Sequence, residues 1–233
     1  MGHYFIFEGS DGVGKTTMTS LVYKYLINRF NEERVVYTRH PGSTKVGQEL
    51  RHLVKHADED VIIDSKTERM IMACDNCAFI EQILRPAMEQ NKIVVADRSN
   101  FISDYPYGMA SGVDPSMMDR IHKIFGSVPK ADLAIIYRCP WEIAKTRMFG
   151  DIEDGQKLKC RIESRGDEYF EKVISHYDMI VSGESINDDL RLRDIVFQYT
   201  NRIEEIDSTQ PLVEVQHQTL KMVDDILAAP DAK

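Results

Sequence analysis

The stretch Glu8-Gly-Ser-Asp-Gly-Val-Gly-Lys-Thr-Thr17 carries the pattern Gly-x-x-x-x-Gly-Lys-[Ser/Thr]. It sits between a short apolar run, His3-Tyr-Phe-Ile-Phe7, and an amphipathic segment, Met18 to Phe30. That order predicts strand, tight loop and helix. Gly9, Gly12 and Gly14 free the backbone to turn successive N–H groups toward one anion. Ser10, Asp11 and Val13 complete the turn, Lys15 supplies a reaching cation, and the hydroxyls of Thr16 and Thr17 open a helix whose N-terminus favours negative charge. The chemistry that needs all of these in one small volume is binding of a nucleoside triphosphate, with Mg²⁺ on the Thr16 hydroxyl.

Around this segment, apolar runs alternate with helical patterns. Strands are expected at 34–39, 92–97, 131–137 and 211–215. Helices are expected at 47–55, 65–90, 115–125, 141–149, 167–181 and 218–228. Ser65 with Glu68 reads as a capping box opening the longest helix. Strands separated by helices imply an α/β fold, a five-stranded parallel sheet with helices on both faces. A chain of 233 residues, 42% of them apolar, can build this as a single domain spanning 1–233. The stretch 182–210, charged but carrying Leu190, Leu192, Ile195, Val196 and Ile203, reads as an insertion.

A formal charge of −9 argues against nucleic acid or an anionic membrane surface as the main partner. No run is long and apolar enough for a bilayer, and a strand stands where a signal peptide would, so the cytosol is the expected compartment. Cys74 and Cys77 form a CxxC without a second pair or a histidine cluster, which fits buried or semi-buried thiols in a reducing compartment better than a zinc site.

Asp97 ends the third strand, where a carboxylate can hold Mg²⁺ through water, and Arg98 follows it. Arg39 ends the second strand. Guanidinium groups at carboxyl strand ends point into one crevice and suit a second phosphate beside the first.

Taken with their neighbours, these residues resemble the thymidylate kinase family of P-loop nucleoside monophosphate kinases. The family's loop corresponds to Glu8 to Thr16, its TREPGGT to Thr38-Arg-His-Pro-Gly-Ser-Thr44, and its RPAL to Arg85-Pro-Ala-Met88. Its DR segment corresponds to Asp97-Arg98 with Ser103 and Gly108, and its lid sequence to Cys160-Arg-Ile-Glu163 before an aromatic-rich helix. The resemblance implies phosphoryl transfer from ATP–Mg²⁺ to a deoxypyrimidine monophosphate, in a two-fold homodimer. It implies that Asp11 contacts the acceptor's sugar or phosphate, and that Arg39 and Arg98, with Pro41 beside them, hold the acceptor phosphate.

It further implies a short lid over about 150–165, containing Asp151, Glu153, Asp154, Lys157, Lys159, Arg161 and Arg165. Because Val13 puts no cation in the loop itself, a lid cation should complete the site. Arg161 and Arg147 are the candidates, the latter also expected near ATP. For the acceptor base, Met72 and Asn76 stand where the family has Phe and Arg one helical turn apart, with Phe79 a turn further and Ser103 and Tyr107 nearby. His40 replaces an acid and Ser43 a glycine. These departures cluster where base and sugar are read, which suggests a pocket shaped for a 5-substituted deoxyuridylate such as the 5-hydroxymethyl form, alongside dTMP. A deoxynucleoside kinase, suggested by Asp97-Arg98-Ser99, and a non-catalytic nucleotide-binding regulator are the alternatives.

Overall fold

The computed structural model describes residues 2–58, 60–150, 160–187 and 190–229. In chain order the strands are β1 (His3–Glu8), β2 (Val35–Arg39), β3 (Ile93–Asp97), β4 (Leu133–Arg138), the short antiparallel pair β5 (Ser185–Asn187) and β6 (Leu190–Arg191), and β7 (Ile203–Asp207). The helices are α1 (Lys15–Phe30), α2 (Lys45–His56), α3 (Ser65–Phe79), α4 (Arg85–Glu89), α5 (Asn100–Ala110), α6 (Pro115–Lys123), α7 (Trp141–Phe149), α8 (Asp167–Ser182), α9 (Leu192–Val196) and α10 (Leu212–Ala228).

The central sheet has five parallel strands in the order β2-β3-β1-β4-β7. Every residue of β3, and all but the first of β1, is buried. Because side chains alternate between faces, such continuous burial requires cover on both. One group of helices, α1 with α10, contacts β1, β2, β3, β4 and β7; another, built around α8 and α5, contacts β4 and β7. Trp141 stacks on Phe170 with centroids 4.5 Å apart, fastening α7 to α8.

The strand order reverses at β1, whose neighbours are β3 on one side and β4 on the other. Such a reversal opens a crevice at the carboxyl ends of the strands, and the glycine loop, Asp97 and Arg98 all fall there. Register sharpens the point: Asp97 pairs with both Phe7 and Arg39, so the ends of three adjacent strands stand level.

Several expectations need correction. The last strand is Ile203–Asp207, inside the stretch read as an insertion, and 211–215 instead begins the closing helix. As a sheet edge, β7 exposes Glu205 and Asp207 and buries only Ile206, so acidic residues hide its alternation. In α10 the buried Val215, Thr219 and Val223 recur at steps of four, while Leu212 and Val213 are exposed. The helix Asn100–Ala110 was not expected; it contains Pro106 and polar residues of weak propensity, and burial of Asn100 through Gly108 outweighs that preference. The long helix is interrupted by a π turn at Ile80–Leu84.

The capping box also fails. The N-cap of α3 is Asp64, whose Oδ1 accepts from the backbone N–H groups of Lys66 and Thr67 at 2.9 and 2.8 Å. Glu68 is drawn inward to arginines instead. Asp64→Ala should therefore lower the urea midpoint of unfolding, whereas Ser65→Ala should leave it in place.

Candidate functional site

At the end of β1 the chain turns sharply. Gly9 and Gly12 have φ of 134° and 83°, and an added Cβ would lie 2.4 Å from the Tyr137 carbonyl oxygen and 2.2 Å from that of Ala144. Only glycine permits both the angle and the close approach. Lys15 opens α1 and is buried, its Nζ donating to the Ser10 carbonyl at 2.8 Å and lying 3.5 Å from Asp11 Oδ1. The Thr16 hydroxyl donates to Asp97 Oδ2 at 2.7 Å. A hydroxyl and a buried carboxylate this close are oxygen donors of the kind that would suit Mg²⁺. Among the described residues no cluster of three His, Cys, Asp or Glu could hold a metal by itself.

Behind the loop lies Glu8, fully buried. Its Oε1 accepts the Ser99 N–H at 2.7 Å and its Oε2 the Tyr177 hydroxyl at 2.7 Å. Burial pushes the Glu8 carboxyl up, against the pull of Arg98 and these donors. Arg98 itself has φ 75°, a left-handed conformation costing a residue with a Cβ roughly 1–2 kcal/mol. Its N–H donates to the Phe7 carbonyl at 3.0 Å, and its Nη2 donates to Asp11 Oδ1 and the Tyr107 hydroxyl, both at 2.7 Å. Burial alone would raise the Asp11 carboxyl, but Arg98, then Lys15 and Lys55, hold it well below the usual carboxylate range.

Two chambers meet here. One is an open cleft that brings together Asp11, Arg39, Pro41, Met72, Arg98, Ser103 and Tyr107. The other runs along the loop from Gly12, Val13, Gly14 and Thr17 to Arg147, whose Nη2 donates to the Ser208 carbonyl at 2.8 Å.

Other expected residues fall elsewhere. Asn76 and Phe79 are buried but do not line the first chamber; Phe79 packs edge-on behind His40, 4.1 Å between centroids. Arg161 is not directed at the loop. Its guanidinium is held by Glu68 and by the carbonyls of Val54 and Ile63, because a buried carboxylate needs cations. Burial would raise the Glu68 carboxyl, yet Arg69, Arg165 and Arg161 hold it low. Asp151, Glu153, Asp154, Lys157 and Lys159 lie outside the described residues. Cys74 and Cys77 are free thiols but exposed, not buried or semi-buried as expected, because the buried face of α3 runs through Met72, Ala73 and Asn76.

The sequence reading missed Arg51, Lys55, Arg69, Asn100 and Asp104, all lining the first chamber. The first two share a face of α2 with Gly47, at steps of four, and Arg69 precedes Met72 and Asn76 by one and two turns. Arg51 donates to the Pro41 carbonyl at 2.9 Å; burial, then Arg39 and Arg98, push its guanidinium below its ordinary value. Cations that repel one another this closely define a place for an anion.

A family model described as thymidylate kinase matches residues 7–187. The chain belongs to the thymidylate kinase family. The thymidylate kinase of Francisella tularensis subsp. holarctica (strain OSU18) is 30% identical over 223 residues, covering 95% of each chain. That of Caldicellulosiruptor saccharolyticus is 36% identical over 147 residues, 63% of this chain and 69% of the relative. The crystal structure of thymidylate kinase from Ehrlichia chaffeensis shares the fold with a TM-score of 0.67 at 22% identity, covering 95% of this chain and 98% of that one. Membership makes the chain an ATP-dependent phosphotransferase. Among the described residues no helix is long and apolar enough to cross a membrane.

Lys15 adds a measurable signature. Burial, then Arg98, push its ammonium down to about 8, opposed by Asp11, Asp97 and Glu8. An arriving polyphosphate favours the charged form, so ATP binding near pH 8 should take up protons. Calorimetric binding heats should then vary with the buffer's ionisation enthalpy, and that dependence should vanish in Lys15→Ala.

Proposed function

We propose that this member of the family transfers the γ-phosphoryl group of ATP to a deoxypyrimidine monophosphate, dTMP or a closely related 5-substituted deoxyuridylate, giving the diphosphate and ADP. The observation that carries this reading is the meeting of the two chambers, one walled by the glycine loop and the other by Arg39, Arg51 and Arg98. A donor polyphosphate in the first and an acceptor phosphate in the second would lie end to end, as in-line transfer requires.

In this reading Gly9, Ser10, Gly12, Val13, Gly14 and Thr17 surround the donor phosphates, and Arg147 stands at the far end of the same chamber. Lys15 neutralises charge on the transferred group, while Thr16 and Asp97 would hold Mg²⁺, which would supply further charge neutralisation to the donor phosphates. Asp11 orients Arg98 and faces the acceptor sugar. The arginines replace the water an acceptor phosphate loses on entry. A 5′-hydroxyl acceptor would instead call for a carboxylate base at the end of β2, where Arg39 and His40 stand.

The far end of the acceptor chamber supports the substituted base. Arg69, Met72, Asn100, Ser103 and Asp104 line it. Arg69 Nη1 donates to Asp104 Oδ1 at 2.8 Å, and among the described residues its buried Nε has no acceptor. A buried donor without a partner is costly and suits an incoming oxygen. Asp104 Oδ2 is fixed by His122 at 3.0 Å. These groups offer donors and acceptors to a hydroxymethyl substituent, where a methyl group would need only apolar surface.

Steady-state turnover of dTMP, dUMP, 5-hydroxymethyl-dUMP and thymidine with ATP tests both levels. Monophosphates should be phosphorylated and thymidine not, with the 5-hydroxymethyl form used at least as efficiently as dTMP. A clear preference for dTMP removes the substituted-base reading, and turnover of thymidine alone removes the monophosphate kinase reading. Lys15→Ala should lower kcat by about 100-fold or more while the protein stays folded.

A further inference from the structure

Asp11, Lys15, Thr16, Arg39 and Lys55 line both chambers. They mark the boundary that a phosphoryl group crosses in passing from donor to acceptor. Lys15 and Thr16 come from the glycine loop and Arg39 from β2, and each has a place in the reading above. Lys55, from the last turn of α2, has none.

Its setting is unlike that of an ordinary surface lysine. The side chain is half-buried, and among the described residues its ammonium makes no hydrogen bond or close ion pair. Its charge nevertheless reaches the Asp11 carboxylate. An unpaired cation at the junction of two anion sites is electrostatically unfavourable until an anion arrives. The transferred group, with charge spread over its equatorial oxygens, is that anion.

The expected sources of this cation, Arg161 and Arg147, are occupied elsewhere, Arg147 on the Ser208 carbonyl at 2.8 Å. The loop carries Val13, which is buried and apolar. Arg161 donates through Nε to the Val54 carbonyl at 2.8 Å, through its backbone N–H to the Lys55 carbonyl at 3.0 Å, and through Nη1 to the Ile63 carbonyl at 3.1 Å. Carbonyls in the last turn of a helix have no partner within it, so Arg161 caps α2 at the residue that carries the free ammonium.

We propose that Lys55 is a catalytic residue, the cation that meets the transferred phosphoryl group from the α2 side, and that Arg161 is a positioning residue that holds Lys55 at the boundary. The proposal rests on the kinase reading given above. Lys15 then approaches the group from the donor side and Lys55 from the other, so the charge that develops during transfer is flanked. A lysine is suited to this because its compact charge and three rotatable donors can follow a moving group.

The test compares wild type, Lys55→Met, Lys55→Arg, Arg161→Met and the Lys55→Met/Arg161→Met pair, using ATP and whichever monophosphate the wild type turns over. Lys55→Met should lower kcat roughly 100-fold, with KM for either substrate little changed. Lys55→Arg should recover much of that loss, since it restores the charge. Arg161→Met should also lower kcat, and adding it to Lys55→Met should cause little further loss, because both act through the same ammonium. Wild-type kcat in Lys55→Met, or a loss confined to KM, overturns the catalytic assignment. Losses that multiply in the pair overturn the positioning role. Failure of the wild type to form ADP with any deoxynucleoside monophosphate would count against the kinase reading itself. Urea midpoints of all variants, expected to match wild type at position 55, separate lost chemistry from lost folding.

Discussion

A single buried carboxylate organises this protein's centre. Glu8 ends β1, and its two oxygens take the Ser99 N–H and the Tyr177 hydroxyl, joining the end of one strand to the chain beyond its neighbour and to α8. The Arg98 guanidinium, 3.6 Å away, balances its charge. That anchor adds to the Phe7 carbonyl, Asp11 and the tyrosines in offsetting the left-handed backbone at Arg98 and fixing its side chain. The glycine loop and Arg98 come from distant parts of the sequence, and Glu8 joins them in one electrostatic unit.

That unit is crowded with like charge. Lys15, Arg39, Arg51, Lys55, Arg69 and Arg98 all border the first chamber, against Asp11, Asp97 and Asp104. Burial, and after it repulsion from neighbouring arginines, depresses Lys15 and Arg51. A net charge of −9 for the chain gives no hint of this, because the acidic residues that set it lie mainly elsewhere. Stability is given up locally so that phosphate enters a site already polarised toward it.

The sequence made some of this visible and hid the rest, for identifiable reasons. The loop, the strand ends at Arg39 and Asp97, and the alternation of β and α were legible because each is a local pattern with a local cause. The fifth strand was not, since an edge strand with Glu204, Glu205 and Asp207 carries no apolar signature. The helix at Asn100–Ala110 was hidden because its stability comes from burial and not from propensity. Arg51, Lys55, Arg69 and Asp104 reach the site only through packing of α2, α3 and α5. Their spacing along α2 and α3 was a usable clue, but charged residues at helical spacing ordinarily face water. Arg161 was misplaced for the opposite reason: its motif was recognisable, while the carboxylate that captures it lies 93 residues earlier.

That carboxylate, Glu68, serves two masters. It binds Arg69, which lines the first chamber, and also Arg161 and Arg165. Whatever alters the balance at one of these guanidiniums redistributes charge among the other two. On the proposed reading, recognition of the base at Arg69 therefore cannot drift independently of Arg161 and Arg165: a lineage exploring new pyrimidines must re-solve both problems in the same step.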